Sequence, residues 1–336
     1  MRKTAEKDKM PAQTGRFVKK KQKDEQYLEK IKDISYKPIF ILGMHRSGTS
    51  ILYKMLRSTN KFNSLTAYDV VYYDRLLLNK IKGKEEEYKK RLNNLIKKEG
   101  EENRDIDRIK MNADFAIEYS FLLGPPYLFQ HLKPSTFQIF NQLCKKLQFI
   151  RGRNRPILLK NPWDFPNFLF IKKNIPEAKF IFIHRNPLDV LNSSVKALRV
   201  IVNKETVYSN ILSPFAKRVN ENPMLELIGK TLLTPYFPSG VMLITENRVK
   251  YAKRFLKNIK KLDDKSYINV KYEDLCEKTT VVMKKIFDHL NIEEKNIEKY
   301  NDFINPRDLS YSSDIERMKG YIMKRFKEYR DYFGYK

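Results

Sequence analysis

The feature that most constrains this chain is the stretch 38–58. There an unbroken apolar run, Pro38-Ile39-Phe40-Ile41-Leu42, meets Gly43 and passes through Met44-His45-Arg46-Ser47-Gly48-Thr49-Ser50 into a helical pattern. A run that does not alternate predicts a strand buried on both faces, as in parallel sheets covered by helices. Ile51, Leu52, Met55 and Leu56 share one face of the helix predicted over Ser47–Ser58. The turn between the two elements has free backbone N–H groups and the positive end of the helix dipole, which together attract an anion.

The rest of the chain continues in the same style. Near-continuous apolar segments predict strands at Pro38–Gly43, Pro156–Lys160, Lys179–His184 and Ile268–Tyr272, with a weaker one at Phe62–Thr66. Helical spacing predicts helices at Phe137–Phe149, Asp164–Asn174, Pro187–Arg199, Glu246–Leu262, Thr279–Leu290 and Ile315–Tyr329. Strands alternating with helices predict an α/β fold, a single P-loop-like domain whose central parallel sheet of about five strands is flanked by helices. Ligands of such sheets sit at the carboxyl ends of the strands. Residues 1–36 read as a basic N-terminal extension and 37–336 as the domain. Within the domain 200–245, with Pro214, Pro223, Pro235 and Pro238, reads as an insertion on the acceptor side.

The Gly43-x4-Gly48 spacing is that of a nucleotide-triphosphate loop, but Thr49 stands where such loops carry Lys. Their Mg²⁺ also needs an acidic ligand at the end of a neighbouring strand, and here Lys179–His184 leads into Arg185. Both departures count against a nucleotide kinase or NTPase and predict no metal. Arg185 ends one strand and Ser193 lies eight residues on, in the next helix. Beside the loop they make a second anion pocket, suited to a nucleotide with separated phosphates.

Lys and Arg number 67 against 40 Asp and Glu, a net charge of +27 that favours anionic partners without choosing among them. A basic nucleic-acid-binding protein is the competing class. No recognition fold is evident, and the 21 Phe and 20 Tyr are spread through core-like segments. No specific nucleic acid is therefore expected. No apolar run approaches the ~18–20 residues of a membrane span, so contact with a membrane would be peripheral. Met1–Lys32 lacks the apolar stretch of a signal peptide. With Cys144 and Cys276 as the only thiols, far apart and without metal-ligand spacing, a cytoplasmic location is expected.

Four ordered motifs add a family resemblance. Gly-Met-His-Arg-Ser-Gly-Thr-Ser at 43–50, Leu-Lys-Asn-Pro at 159–162, Ile-His-Arg-Asn-Pro-Leu-Asp-Val at 183–190 with Ser193, and Tyr-Glu-Asp-Leu at 272–275 resemble the sulfotransferases that use 3′-phosphoadenosine 5′-phosphosulfate (PAPS). The likeness is to the bacterial branch related to tyrosylprotein sulfotransferases. It implies transfer of a sulfuryl group from PAPS to a hydroxyl of a sugar, lipid, peptide or small molecule. His45, Arg46, Ser47, Gly48, Thr49 and Ser50 would bind the 5′-phosphosulfate, and Arg185 and Ser193 the 3′-phosphate. Tyr272-Glu273-Asp274 would be mainly structural. Arg46 and Lys160 would stabilise the leaving phosphate.

The base is where the sequence departs from the family. Ala67 stands where the family's acid after the second strand is expected, and Asp69 lies two residues later. Asp164, four residues after Lys160, occupies a place where relatives often have His, so Asp69 and Asp164 are both candidates. Glu118 resembles an acid that lines the acceptor side in some relatives. Arg317 and Lys319 fall where some sulfotransferases bring late basic residues to the 3′-phosphate.

Overall fold

A computed structural model of the chain describes residues 23–98, 103–104, 109–123, 130–152, 154–203, 238–304 and 310–336. The basic arm through residue 22 and most of the expected insertion, 204–237, lie outside the described residues. Five parallel strands form the central sheet: β1 (Pro38–Leu42), β2 (Asn63–Ser64), β3 (Ile157–Lys160), β4 (Lys179–His184) and β5 (Tyr267–Lys271). Their order is β2-β3-β1-β4-β5. The helices are α1 (Thr49–Arg57), α2 (Ala67–Val71), α3 (Leu76–Ile81), α4 (Glu85–Lys98), α5 (Pro134–Arg151), α6 (Phe168–Asn174), α7 (Pro187–Asn203), α8 (Ser239–Ile259), α9 (Tyr272–Glu277), α10 (Thr279–Leu290), α11 (Ser313–Arg325) and α12 (Lys327–Phe333). Among the described residues no helix is long and apolar enough to cross a membrane.

The unbroken apolar strands have the expected cause. All five residues of β1 are buried, and they alternate between two cores. Phe40 and Leu42 pack on one face with Leu159, Phe180 and Phe182, while Ile39 and Ile41 pack on the other with Leu158, Ile181 and Ile183. Aromatic rings dominate the first face: Phe40 stacks on Phe180 at 5.7 Å, and Phe182 meets Phe255 of α8 edge-on at 5.0 Å. In register, Ile41 pairs with Lys160 and Leu42 with Phe182, so β1 and β3 end within a residue of each other while β4 runs two residues further, to His184, at the same edge. The chain leaves β1 toward β2 and β3 on one side and reaches β4 on the other. That switch point is where ligands of open α/β sheets bind.

Some expected boundaries move, for local reasons. The helix predicted from Asp164 begins at Phe168, because Pro162–Asn167 forms a 3₁₀ turn with Pro166 inside it. The weak strand at 62–66 shrinks to Asn63–Ser64, since Thr66 turns away to cap α2. The last predicted helix divides at Phe326 into α11 and α12. Toward the N-terminus, residues 24–34 pack against the domain. Asp24 and Lys146 form a fully buried ion pair at 2.9 Å. Asp24 also accepts the N–H groups of Leu77 and Leu78 at the start of α3, and Lys146 donates to the Tyr73 carbonyl at 2.8 Å. Ile31 and Ile34 belong to the core.

His184 closes β4 inside the protein. Its ring stacks on Phe333 of α12 at 3.8 Å, with Nδ1 2.8 Å from the Tyr329 hydroxyl and Nε2 2.9 Å from Asn269 Oδ1. Burial drives its pKa down to about 3, so it is neutral in the native protein. The unfolded chain gains this proton near the ordinary value of 6.5. Stability is therefore unaffected above that pH and is lost as the pH falls from there toward 3, by about 1.4 kcal/mol per pH unit. Denaturant midpoints for wild type and His184→Gln between pH 7.5 and 5 measure this. The variant is expected to have the flatter dependence, and parallel curves would show that His184 is not the cause.

Candidate active site

The loop between β1 and α1 is shaped by two glycines with no room for a side chain. A Cβ on Gly43 would lie 2.4 Å from the Ile183 carbonyl oxygen, so the loop presses directly on β4. One on Gly48 would lie 2.3 Å from the Tyr272 ring, and Gly48 itself adopts φ +100°, a left-handed conformation that favours glycine. Arg46 is also left-handed, with φ 74°. Inside this turn the Ser47 hydroxyl is buried and has no hydrogen-bond partner, and the same is true of His45 Nε2. Buried polar atoms are normally satisfied. Two orphaned ones at the N-terminus of α1, in a turn narrowed to bare backbone, fit a cradle for an anionic group. His45 is held well below its ordinary range by burial, reinforced by the charges of Arg248, Arg46 and Lys160, so it is neutral.

Arg46 connects the two expected anion pockets. Its Nε donates to Ser193 Oγ on α7 at 3.0 Å, and its carbonyl accepts from Arg185 Nη1 at 3.2 Å. The Arg185 guanidinium lies over the Tyr272 ring at 4.4 Å, and its Nε is 3.8 Å from Asp189 Oδ2. Tyr272 thus supports Arg185 and limits Gly48 at once. Its neighbour Glu273 accepts from the Asn186 N–H at 2.8 Å, tying the start of α9 to the turn after β4. These contacts explain why the Tyr-Glu-Asp segment belongs with the site although it need not touch a substrate.

Lys160 lies on the other side of β1. Only 4% exposed, it donates to Ser50 Oγ at 2.9 Å and pairs with Glu118 Oε1 at 3.2 Å. Glu118 comes from the chain just before the short turn Tyr119–Leu122 and is brought to the strand ends by the fold. The structure therefore gathers His45, Arg46, Ser47, Gly48, Thr49, Ser50, Lys160, Arg185 and Ser193 at one edge of the sheet, with Glu118 against Lys160.

Asp69 and Asp164, the two candidates for the base, do not join them; each is engaged inside the fold. Asp69 is fully buried; its Oδ2 accepts from the Thr66 N–H and hydroxyl, each at 2.7 Å, as the cap of α2. Arg151 Nη2 bonds both its oxygens, at 2.8 and 2.7 Å. Asp164 is also fully buried and accepts from the Tyr119 hydroxyl, the Leu132 N–H and the side-chain amides of Asn161 and Asn167. Burial pushes its pKa up although those hydrogen bonds pull it down. Both carboxylates are spent on fastening the chain, with no open side for a substrate hydroxyl. Arg317 and Lys319 lie on the exposed face of α11. A separate surface cavity lined by Lys54, Arg57, Asn60 and Phe62 sits near the far end of α1, away from the loop.

Comparison with known proteins bears on the fold and the family. No curated protein sequence matches the chain. Among solved structures it is similar to sulfotransferase STF9 from Mycobacterium avium, with a TM-score of 0.65 at 17% identity over 91% of this chain and 79% of that one. Sulfotransferase STF1 from Mycobacterium tuberculosis H37Rv matches with a TM-score of 0.56 at 15% identity, over 90% of this chain and 80% of that one. At such identities these likenesses establish the fold. Residues 38–220, more than half the chain, match the sulfotransferase family itself, and that span contains the loop, Glu118, Lys160, Arg185 and Ser193. The chain belongs to the sulfotransferase family and is an enzyme of sulfuryl transfer.

Proposed function

We propose that the donor is PAPS, that Glu118 is the general base, and that the acceptor is a hydroxyl compound entering between Glu118 and the loop. The observation that carries this is the double engagement of Arg46, which joins the loop to Ser193 through its side chain and to Arg185 through its carbonyl. Two cationic pockets held in fixed relation suit a nucleotide with a 5′-phosphosulfate in the loop and a 3′-phosphate at Arg185 and Ser193. PAPS supplies an activated sulfur joined to a good leaving group, the 5′-phosphate.

The chain supplies position and charge. The acceptor oxygen forms its bond to sulfur in line with the sulfur–oxygen bond that breaks, and the electron pair of the broken bond stays on the 5′-phosphate. Lys160, Arg46 and the loop N–H groups meet that growing charge. Glu118 takes the hydroxyl proton. Its pairing with Lys160 puts the base and the cation on one side of the reacting centre, 3.2 Å apart.

The test is ligand binding without metal. Adenosine 3′,5′-bisphosphate is expected to raise the melting temperature in the presence of a chelator, by ordinary ligand linkage. Arg185→Ala is expected to weaken its binding by about 2–3 kcal/mol, the scale of a lost charge-assisted contact. The 5′-monophosphate should be nearly indifferent to the same change. Strong stabilisation by MgATP and none by the bisphosphate would overturn the reading.

A further inference from the structure

One cation near the site is not used by this chemistry. Arg248 lies on α8, beyond the residues that match the family. Phe255, on the same helix, stacks on Phe165 at 4.8 Å with 12° between the rings. Phe165 belongs to the turn that follows Lys160, and in that turn Trp163 meets the His45 ring edge-on at 4.5 Å. Arg248 precedes Phe255 by seven residues, close to two helical turns, so it shares the same face about 10 Å along the axis. The Phe255–Phe165 stack thus anchors the helix that bears Arg248 against the turn that follows Lys160 and touches His45 through Trp163.

Among the described residues no carboxylate pairs with Arg248. Nη1 donates to the Asn247 side chain at 3.1 Å, the guanidinium faces the Tyr251 ring at 6.0 Å, and Nε is buried without a hydrogen-bond partner. Burial lowers its pKa to about 10. Its charge, with those of Arg46 and Lys160, adds to the burial that holds His45 below its ordinary range. Nearby buried or half-buried cations are answered: Lys160 by Glu118, Arg185 by Asp189, Arg199 by Asp314. Arg248 is half-buried, and its buried Nε donor, left without a partner, is a cost that an anionic ligand would offset.

We propose that Arg248 binds an anionic group, a carboxylate, phosphate or sulfate, carried by the acceptor close to the hydroxyl that receives the sulfuryl group. This rests on the donor and acceptor placement given above. On that placement the donor's own charges are met by the loop, Arg46, Lys160 and Arg185, whereas Arg248 stands on a different helix, which packs through Phe255 on the turn after β3. Arg248 thereby makes the enzyme selective for anionic acceptors over neutral ones.

The experiment fills the donor site first. Protein saturated with PAPS, so that the sulfuryl position is occupied, is titrated with inorganic phosphate by calorimetry against sodium chloride of equal ionic strength. Wild type, Arg248→Met and Lys250→Met are compared, the last removing an exposed charge from the same helix. Wild type and Lys250→Met are expected to bind phosphate alike, and Arg248→Met to lose at least about tenfold in affinity, the scale of a charge-assisted contact. PAPS affinity should be the same in all three, which also shows that the variants are folded. Equal phosphate binding by Arg248→Met overturns the proposal. A fall in PAPS affinity confined to Arg248→Met also overturns it, by placing the arginine on the donor. Failure of wild type to bind PAPS at all would instead bring down the donor assignment, and this proposal with it.

Discussion

Glu118→Gln is expected to lower kcat by about 10²–10⁴ and to leave the affinity for adenosine 3′,5′-bisphosphate almost unchanged. The substitution keeps the shape of the side chain and removes its ability to take a proton. In the proposed donor placement the nucleotide is held by the loop, Arg46, Arg185 and Ser193, and the polar contact of Glu118 at the site is with Lys160. Asp69→Asn is the informative contrast. Asp69 caps α2 and pairs with the part-buried Arg151, so its loss should act on folding, by about 3–5 kcal/mol if the pair behaves as a buried one. Single-turnover rates and denaturation midpoints separate the two effects. A crippled but stable Asp69→Asn enzyme, beside an active Glu118→Gln enzyme, would return the base to Asp69.

Lys160→Met is expected to lower kcat by about 10²–10³ with little change in the donor dissociation constant. Charge on the bridging oxygen grows only as the sulfur–oxygen bond breaks, so a lysine aimed at that oxygen acts mainly on the transition state. Lys160 is well placed for this. It is almost fully buried at the end of β3, beside Ile41 in register, and is steadied by Ser50 and Glu118. Because Lys160 and Glu118 touch, their effects should not add: the double variant is expected to be little slower than the worse single one. A change confined to donor affinity would make Lys160 a binding residue.

What the sequence determined by itself was the frame and the donor side. Apolar runs without alternation read as strands covered on both faces, and three of those runs are β1, β3 and β4 almost to the residue, whereas the run at Ile268–Tyr272 is the edge strand β5, in which only Val270 is buried. The glycine turn after β1 and the arginine after β4 were legible because the local chain alone dictates them: a turn that tight needs glycine, and a residue that ends a strand must lie at the sheet's edge. Lys160 was legible for the same reason.

The acceptor side was decided only by tertiary structure. Nothing near Asp69 in sequence announces Arg151, 82 residues away, and nothing near Asp164 announces Tyr119 or Leu132. Both aspartates are candidate bases by sequence position, and it is the distant partners that engage their oxygens. Glu118 and Lys160, and Phe255 of α8 and Phe165 of the turn after β3, meet through packing between remote segments, which leaves no mark at any fixed spacing. A carboxylate is a base, a cap or half of an ion pair according to what is folded against it.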